Sequence, residues 1–223
     1  AEASAHGKAG RLTAGYRVQQ NSLSGLQTAP RLAYTKVHGR LHGKLMWSRS
    51  FRMPTVMNLN YGPEEGLVRP ERVSTSEAEL GLRIGKEGSI TLNAYQTLIK
   101  DPLVYVFDAV SLDNYLNRSV AGSEGLDARF QWVRSTFRMM VAGGIHRPVA
   151  NADIPEASLP ASATPSYQGI AAARAVAYAA WTPYRMVTLR GRILWKGRSW
   201  SYQTVDAPEG TIDLVEWLSL IHI

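Results

Sequence analysis

The chain has 223 residues, a formal net charge of +7 and no cysteine. No composition shift or linker divides it, so residues 1–223 are predicted to form one unit. The lack of cysteine excludes thiolate metal sites, a cysteine nucleophile and a disulfide framework. No apolar run approaches the roughly 18 residues of a membrane-spanning helix, which excludes a helical membrane protein but not a β-barrel.

Alternation of apolar and polar residues predicts a series of β-strands. In residues 11–19, for example, Leu12, Ala14, Tyr16 and Val18 share one face and polar residues share the other. The same alternation recurs in residues 40–48, 76–85, 136–146 and 185–195. Each stretch has roughly the nine or ten residues that a tilted strand needs to cross a bilayer.

One segment conflicts with this pattern. Residues 169–180 are rich in alanine, the best helix former. Pro165 and Pro183 bracket the segment, and its neighbours are predicted strands. We expect a strand here, because tertiary context overrides local propensity.

The connections between the predicted strands alternate between short and long. Short turns are predicted near residues 37–40, 85–88, 133–135 and 182–184, and long loops around residues 19–27, 51–75, 101–115, 147–166 and 198–211. Aromatic residues fall near both sets of strand ends: Trp132, Trp181 and Tyr184 beside short turns, and Trp47, Trp195 and Trp200 toward long loops. Tight turns at one end, long loops at the other and two aromatic belts are typical of an outer-membrane barrel.

Arginines are spread singly through the predicted strands rather than clustered. They are Arg11, Arg17, Arg31, Arg83, Arg129, Arg138, Arg190 and Arg192. This distribution argues against a nucleic-acid partner and favours charges that face a wet lumen, where they would attract anionic ligands. The alternative is that they pair with Glu77, Glu79 and Asp127 across neighbouring strands.

The sequence gives little sign of catalysis. His38 and His42 flank a predicted turn without a third ligand nearby, so we interpret them as surface or lumen residues rather than a metal site. Glu64, Glu65, Glu71, Glu77 and Glu79 form an acidic cluster around a long loop, which is interpreted as a solvated rim rather than as the paired carboxylates of a hydrolase. We predict no enzyme activity, no catalytic or metal-binding residues and no cofactor.

Several sequence words, in order, resemble the C-terminal barrel of TonB-dependent outer-membrane receptors. The words are Ala14-Gly15-Tyr16-Arg17, Thr28-Ala29-Pro30-Arg31-Leu32-Ala33, Ser48-Arg49-Ser50-Phe51-Arg52-Met53-Pro54-Thr55, Leu67-Val68-Arg69-Pro70-Glu71, Glu79-Leu80-Gly81-Leu82, Ile99-Lys100-Asp101-Pro102-Leu103-Val104, and Asn117 followed by Ser123-Glu124-Gly125-Leu126-Asp127. The resemblance runs from about residue 10 to residue 200. It implies an all-β fold, an antiparallel transmembrane β-barrel of the outer-membrane type, here partial, with about ten strands of a larger barrel.

The resemblance also implies a function. Such a receptor lies in the lipid bilayer of the bacterial outer membrane and takes up a scarce small-molecule ligand, such as a ferric siderophore or other metal chelate, cobalamin or an oligosaccharide. The TonB complex supplies energy through a plug domain, for which this sequence has no counterpart. Tyr61, Arg69, Tyr105 and Tyr115 are the candidate ligand-binding residues of the loops.

Two other classes remain open at this point. A passive porin-like or adhesin-type barrel shares the alternation but not the ordered words. A soluble β-sandwich carbohydrate-binding domain would keep its polar face in water. The final residues, 216–223, do not resemble the ending of the receptor family, which closes on an aromatic residue.

Overall fold

A computed structural model describes residues 1–22, 25–60, 62, 68–106, 114–149, 170–197 and 220–222. The strands within these ranges are β1 (Glu2–Gly7), β2 (Gly10–Asn21), β3 (Gly25–His38), β4 (Leu41–Arg52), β5 (Glu71–Ile84), β6 (Gly88–Lys100), β7 (Leu103–Val106), β8 (Asn114–Asn117), β9 (Val120–Arg134), β10 (Phe137–Pro148), β11 (Ala173–Tyr184), β12 (Val187–Lys196) and β13 (Leu220–His222). One short helix, α1, spans Val56–Asn60. The hydroxyl and amide of Thr55 both donate to the side-chain oxygen of Asn58 and so fix its first turn.

Eleven of the strands form one antiparallel sheet in an up-and-down order. β6 pairs directly with β9, because β7 and β8 form a separate two-stranded ribbon in the connection between them. The predicted strands are confirmed as β2, β4, β5, β10 and β12. Residues 173–180 of the alanine-rich segment also form a strand, the first part of β11, because they pair with β10 and β12.

Two predicted connections are wrong. The expected long loop at residues 19–27 is mostly strand, since β2 continues to Asn21 and β3 begins at Gly25. Its polar residues still pair across the two strands, so they do not end either one. The turn expected at residues 182–184 lies within β11, and the chain turns at residues 185–186 instead. A register shift between Trp181 and Tyr184 accommodates the intervening proline.

The other described connections confirm the alternation of short and long. The chain turns tightly at residues 39–40, 85–87 and 135–136, and it takes longer paths over residues 53–70 and 101–119. We call the two ends of the sheet the turn end and the loop end accordingly. The loops predicted at residues 147–166 and 198–211 lie largely outside the described residues.

Register places apolar residues of successive strands in continuous rows on one face of the sheet, the apolar face. One row joins seven strands through Leu41, Leu82, Ile90, Phe130, Val141, Ala177 and Ile193. These side chains do not form a core, since Leu41 is 56% exposed and Ile193 is 48% exposed. An exposed apolar face across so many strands is the surface that a transmembrane barrel turns toward lipid.

The apolar band crosses the hydrogen-bonded rows obliquely. On β2, the band residues Leu12 to Val18 lie in rows that contain Ala94 of β6 or β6 residues closer to the loop end. On β12, the band residues lie in rows that contain Leu92 of β6 or β6 residues closer to the turn end. A band that is level in a membrane drifts in this way when the strands are inclined to the barrel axis.

Candidate functional site

The opposite face of the sheet, the polar face, carries every one of the arginines singled out above. Within the described residues, none of them forms an ion pair with Glu77, Glu79 or Asp127, so the predicted cross-strand pairing is wrong for this set. Glu79 instead lies 3.2 Å from Nε2 of His42. Arg31 does pair, but with Glu2 of β1. The polar face therefore has cations without carboxylate partners.

A row of charged and amide side chains crosses the polar face. Paired positions run from Lys44 through Glu79, Asn93, Asp127 and Gly144 to Arg174 and Lys196. The Oδ1 atom of Asn93 is buried and has no hydrogen-bond partner in the described part of the chain. It lies directly between the positions of Glu79 and Asp127. Two carboxylates and one amide oxygen therefore occupy adjacent positions on three neighbouring strands.

Four large side chains of the polar face lie over glycines on the neighbouring strand. Each pair consists of residues directly opposite each other, and the glycine leaves the space where a Cβ would collide with the larger side chain. The pairs are Arg31 with Gly15, His42 with Gly81, Tyr95 with Gly125, and Asp127 with Gly144. These glycines hold the larger side chains close against the sheet.

A concavity of about 800 Å³ opens on the polar face. The charged and polar residues around it include Glu79, Asn93, Asp127, Arg129, His146 and Arg174. This volume is in the range of a small-molecule cavity. It is bounded by carboxylates toward β5 and by cations toward β12, so the two sides differ in charge.

A second polar cluster, the loop-end knot, joins three chain segments where β6 ends. It comprises Arg52, Arg69, Glu71, Asp101 and Asn117. The side-chain oxygen of Asn117 accepts from the Arg69 amide at 2.6 Å, while its nitrogen donates to the carbonyls of Arg69 at 3.0 Å and Asp101 at 2.7 Å. The Arg69 guanidinium lies 2.9 Å from the Asp101 carboxylate. One amide thus fixes the end of the 53–70 connection against β6.

Glu71 makes the other half of the knot. Its carboxylate accepts from Arg52 at 2.9 Å and from the amide of Leu103 at 2.7 Å, and its side chain is only 12% exposed. Leu103 begins the β7–β8 ribbon, so Glu71 ties that ribbon to β5 and β4. Asp101 adopts a positive φ of 54°, which turns the chain from β6 into the ribbon.

The structure brings three of the four candidate ligand residues together. Arg69 belongs to the loop-end knot, and Tyr105 and Tyr115 face each other on the ribbon above it, with ring centroids 5.5 Å apart in an edge-on arrangement. Tyr61 lies outside the described residues. Arg69 has an ion pair within the chain, yet its side chain is 69% exposed and remains accessible.

Sequence reasoning assigned no role to Asn117 and Asp101. Its interpretation of Glu71 as part of a solvated rim is wrong, because the Glu71 side chain is only 12% exposed and bonds to Arg52 and to the Leu103 amide. Asn117, Asp101 and Glu71 each stood in a separate sequence word. These three residues could have been linked by the positions of their sequence words, because each word lies where a long connection enters or leaves a strand. Such positions all meet at one end of an antiparallel sheet.

The apolar face has a polar margin near the loop end. Gln96, Glu124 and Arg147 occupy one row there, above the apolar band. Arg147 and Gln96 both donate hydrogen bonds to the Glu124 carboxylate, at 2.7 and 3.3 Å. Trp47 lies in the same row on β4, and the Arg49 guanidinium lies 5.2 Å from the centre of its ring. At the turn end, Trp181 and Tyr184 are exposed, at 51% and 74%.

A model of the TonB-dependent receptor-like β-barrel family matches residues 7–214. The chain belongs to this family. Its fold is therefore part of an antiparallel transmembrane β-barrel of the outer-membrane type, as the alternation and the ordered words predicted. Members of the family are receptors and transporters of the bacterial outer membrane, not a class of enzymes.

Solved structures of the family match the fold. The siderophore receptor PirA of Pseudomonas aeruginosa matches with a TM-score of 0.69 and 14% identity over 88% of this chain and 38% of its own. The FrpB iron transporter of Neisseria meningitidis gives 0.70 and 14%, over 96% and 35%. The copper transporter OprC gives 0.58 and 13%, over 84% and 31%. The chain thus spans about a third of the length of these structures.

No curated protein sequence matched the chain. Within the described ranges, no helix is both long and apolar enough to cross a membrane. Nor do three histidine, aspartate or glutamate side chains meet there in a way that could hold a metal ion. His38 and His42 lie on opposite faces of the sheet, so they do not share a ligand.

Proposed function

We propose that this chain forms a substrate-facing wall of a receptor that takes up a metal chelate, such as a ferric siderophore, across the bacterial outer membrane. The observation that carries this proposal is the set of polar-face arginines that have no carboxylate partner among the described residues. Arginine binds carboxylate and other oxyanions through two parallel hydrogen bonds. Siderophore, iron and copper transporters among the similar structures support the class of ligand.

The candidate ligand residues lie at the loop end, where an incoming ligand first meets the receptor. Tyr105 and Tyr115 present their rings on the ribbon, and Arg69 adds a positive charge below them. A pair of tyrosines with a nearby guanidinium suits a flat, anionic chelate, since aromatic rings give contact area and the cation gives charge complementarity. Tyr61 completes the proposed set.

The energy for uptake would come from the TonB complex through a plug domain, as in the family. The acceptor site formed by Glu79, Asn93 and Asp127 supports such a contact on the polar face. Opposite charges attract across a contact of this kind. A plug with a cationic side chain at this position would complement the Glu79 and Asp127 carboxylates.

Binding of a radiolabelled ferric siderophore by the whole receptor tests the ligand site. We expect Tyr105→Ala and Arg69→Ala each to weaken binding by about tenfold, the equivalent of about 1.4 kcal/mol. Tyr184→Ala, at the turn end of the apolar face, is the matched control and should bind as the unaltered receptor does. Equal binding after replacement of both Tyr61 and Arg69 by alanine would contradict the proposed site. An unaltered receptor that binds no metal chelate would contradict the proposed function.

A further inference from the structure

Three cations lie on the apolar side of the sheet beyond the apolar band, near the loop end. Arg49 of β4, Arg72 of β5 and Lys100 of β6 have the same parity as the apolar residues of their strands, and all three are exposed. Their strands are interior strands of the sheet, paired on both sides. This surface therefore faces away from the polar face and its ligands.

Arg72 and Lys100 lie directly opposite each other on β5 and β6. Like charges at directly opposed positions repel and destabilise the strand pair. No carboxylate of the described residues pairs with either cation. The adjacent carboxylates, Glu71 and Asp101, are already bonded to Arg52 and Arg69. A repulsive pair that the described part of the chain leaves uncompensated indicates a partner of negative charge.

The position of the pair identifies the kind of partner. Trp47 marks the upper margin of the apolar band, and the Arg49 guanidinium lies 5.2 Å from its ring centroid. Tryptophan side chains gather where a membrane protein meets the lipid head groups. Arg72 and Lys100 lie four residues further along their strands toward the loop end than Ser76 and Gln96, which share a row with Trp47. The cations are thus at the level of the head groups.

An apolar groove lies on the same face, closer to the middle of the band. It has a volume of about 750 Å³ and includes Ala78, Leu80, Leu92, Ala94, Leu126 and Ala128 in its walls. Small side chains in adjacent rows leave room there for a hydrocarbon chain. The groove and the cations share strands β5 and β6, so one elongated amphipathic molecule can contact both.

We propose that Arg72 and Lys100, with Arg49 beside them, bind the phosphate group of an anionic membrane lipid whose acyl chain lies in the groove below. A phosphate between the two cations turns their repulsion into two favourable contacts. The inference rests on the proposed location in the outer membrane. It adds a lipid site on the side of the barrel opposite to the ligand path.

Fluorescence quenching by brominated lipids tests this site. The whole receptor is placed in phosphatidylcholine nanodiscs that contain brominated phosphatidylglycerol or, in parallel, brominated phosphatidylcholine. The difference between the receptor and its Trp47→Phe variant isolates the emission of Trp47. We expect the brominated anionic lipid to quench Trp47 at lower mole fraction than the brominated zwitterionic lipid, and high salt to reduce the difference.

The double variant Arg72→Gln/Lys100→Gln should lose this preference. The ratio between the mole fractions at which the two lipids quench Trp47 should fall by about fivefold for each cation removed. The matched control is Arg83→Gln/Arg138→Gln, which removes two cations from the polar face and should keep the preference. Equal quenching by both lipids, or a preference that survives the double variant, would overturn the proposal. So would full displacement of the lipid by millimolar inorganic phosphate, which would indicate a site for soluble anions.

The same samples separate this proposal from the proposed function. A receptor that assembles in the outer membrane and binds its chelate, yet has no lipid preference, overturns only the lipid site. A receptor that is absent from the outer-membrane fraction overturns the proposed location. The lipid assay on refolded receptor in nanodiscs still gives its own result in that case.

Discussion

The side-chain amide of Asn117 bonds to both polar groups of the Arg69 backbone, 48 residues away in sequence. It also donates to the carbonyl of Asp101. The base of the β7–β8 ribbon, which carries Tyr105 and Tyr115, is therefore held by this amide together with the Glu71 carboxylate, which accepts from the Leu103 amide.

We expect Asn117→Ala to lower the free energy of unfolding by about 1–3 kcal/mol, because it leaves the Arg69 amide and two carbonyls without their partner. Thermal unfolding of the detergent-purified receptor measures this. Asn60→Ala, at the exposed end of α1, is the control and should change the midpoint little. A midpoint unchanged by Asn117→Ala would mean that water replaces the amide at no cost.

Glu71 and Arg52 are expected to be coupled, with Glu71 the more important of the two. Glu71→Ala removes the ion pair and also the acceptor for the Leu103 amide, whereas Arg52→Ala removes only the ion pair. A double-mutant cycle should give a coupling of about 0.2–1 kcal/mol, since Arg52 is 59% exposed and solvent screens the pair.

The single variants test the order of the two effects. Glu71→Gln keeps an oxygen that can accept from Leu103 and should be less destabilising than Glu71→Ala. Equal losses for Arg52→Ala and Glu71→Ala would show that the Leu103 hydrogen bond contributes nothing to stability.

Gly144→Ala is expected to destabilise the sheet by about 1–3 kcal/mol through overpacking. The new Cβ would collide with the Asp127 carboxylate and approach the carbonyl oxygen of Leu126 to 3.1 Å. Gly191→Ala is the matched control, because no atom lies within 4 Å of the corresponding Cβ position. The urea midpoint of the refolded receptor should fall for the first variant only. A fall of the same size for both would argue that Gly144 is not needed to make room for Asp127.

Adjacent residues of β6 allow the two faces to be tested with the same substitution. Leu92 is 54% exposed on the apolar face, and Asn93 lies on the polar face between Glu79 and Asp127. Leu92→Arg should cost about 2–4 kcal/mol near the middle of the bilayer, whereas a lumen substitution avoids this cost.

Asn93→Arg should be tolerated, since its cation falls between two carboxylate positions. Assembly of both variants is measured as the amount of folded, heat-modifiable receptor in the outer-membrane fraction. Normal assembly of Leu92→Arg together with loss of Asn93→Arg would reverse the assignment of the faces.

Much of the fold was predictable from the sequence, because successive side chains of a strand point to opposite faces of the sheet and these two faces differ in polarity. The parity of Leu12, Ala14, Tyr16 and Val18 was enough to identify the apolar face of β2. Strand ends were less predictable, since Gln19 and Gln20 are polar whether they pair in a sheet or lie in a loop. Only the partner strand decides, and Gln19 pairs with Gln27.

The site was predictable in its parts but not in its contacts. Arg69, Tyr105 and Tyr115 were chosen as loop residues, and the structure brings them to one end of the sheet. The pairing of Glu79 with His42 was not foreseen, because a cross-strand partner depends on register, which single-strand patterns do not define. The same holds for Asn117, whose partners come from two distant segments.

The glycines beneath Arg31, His42, Tyr95 and Asp127 limit how far these four side chains project from the sheet. A side chain that lies flat against its neighbouring strand takes up space along the sheet and adds little to the thickness of the polar face. This face can therefore carry bulky and charged groups and still stay shallow. An alanine at any of these glycines would tilt the opposing side chain away from the sheet.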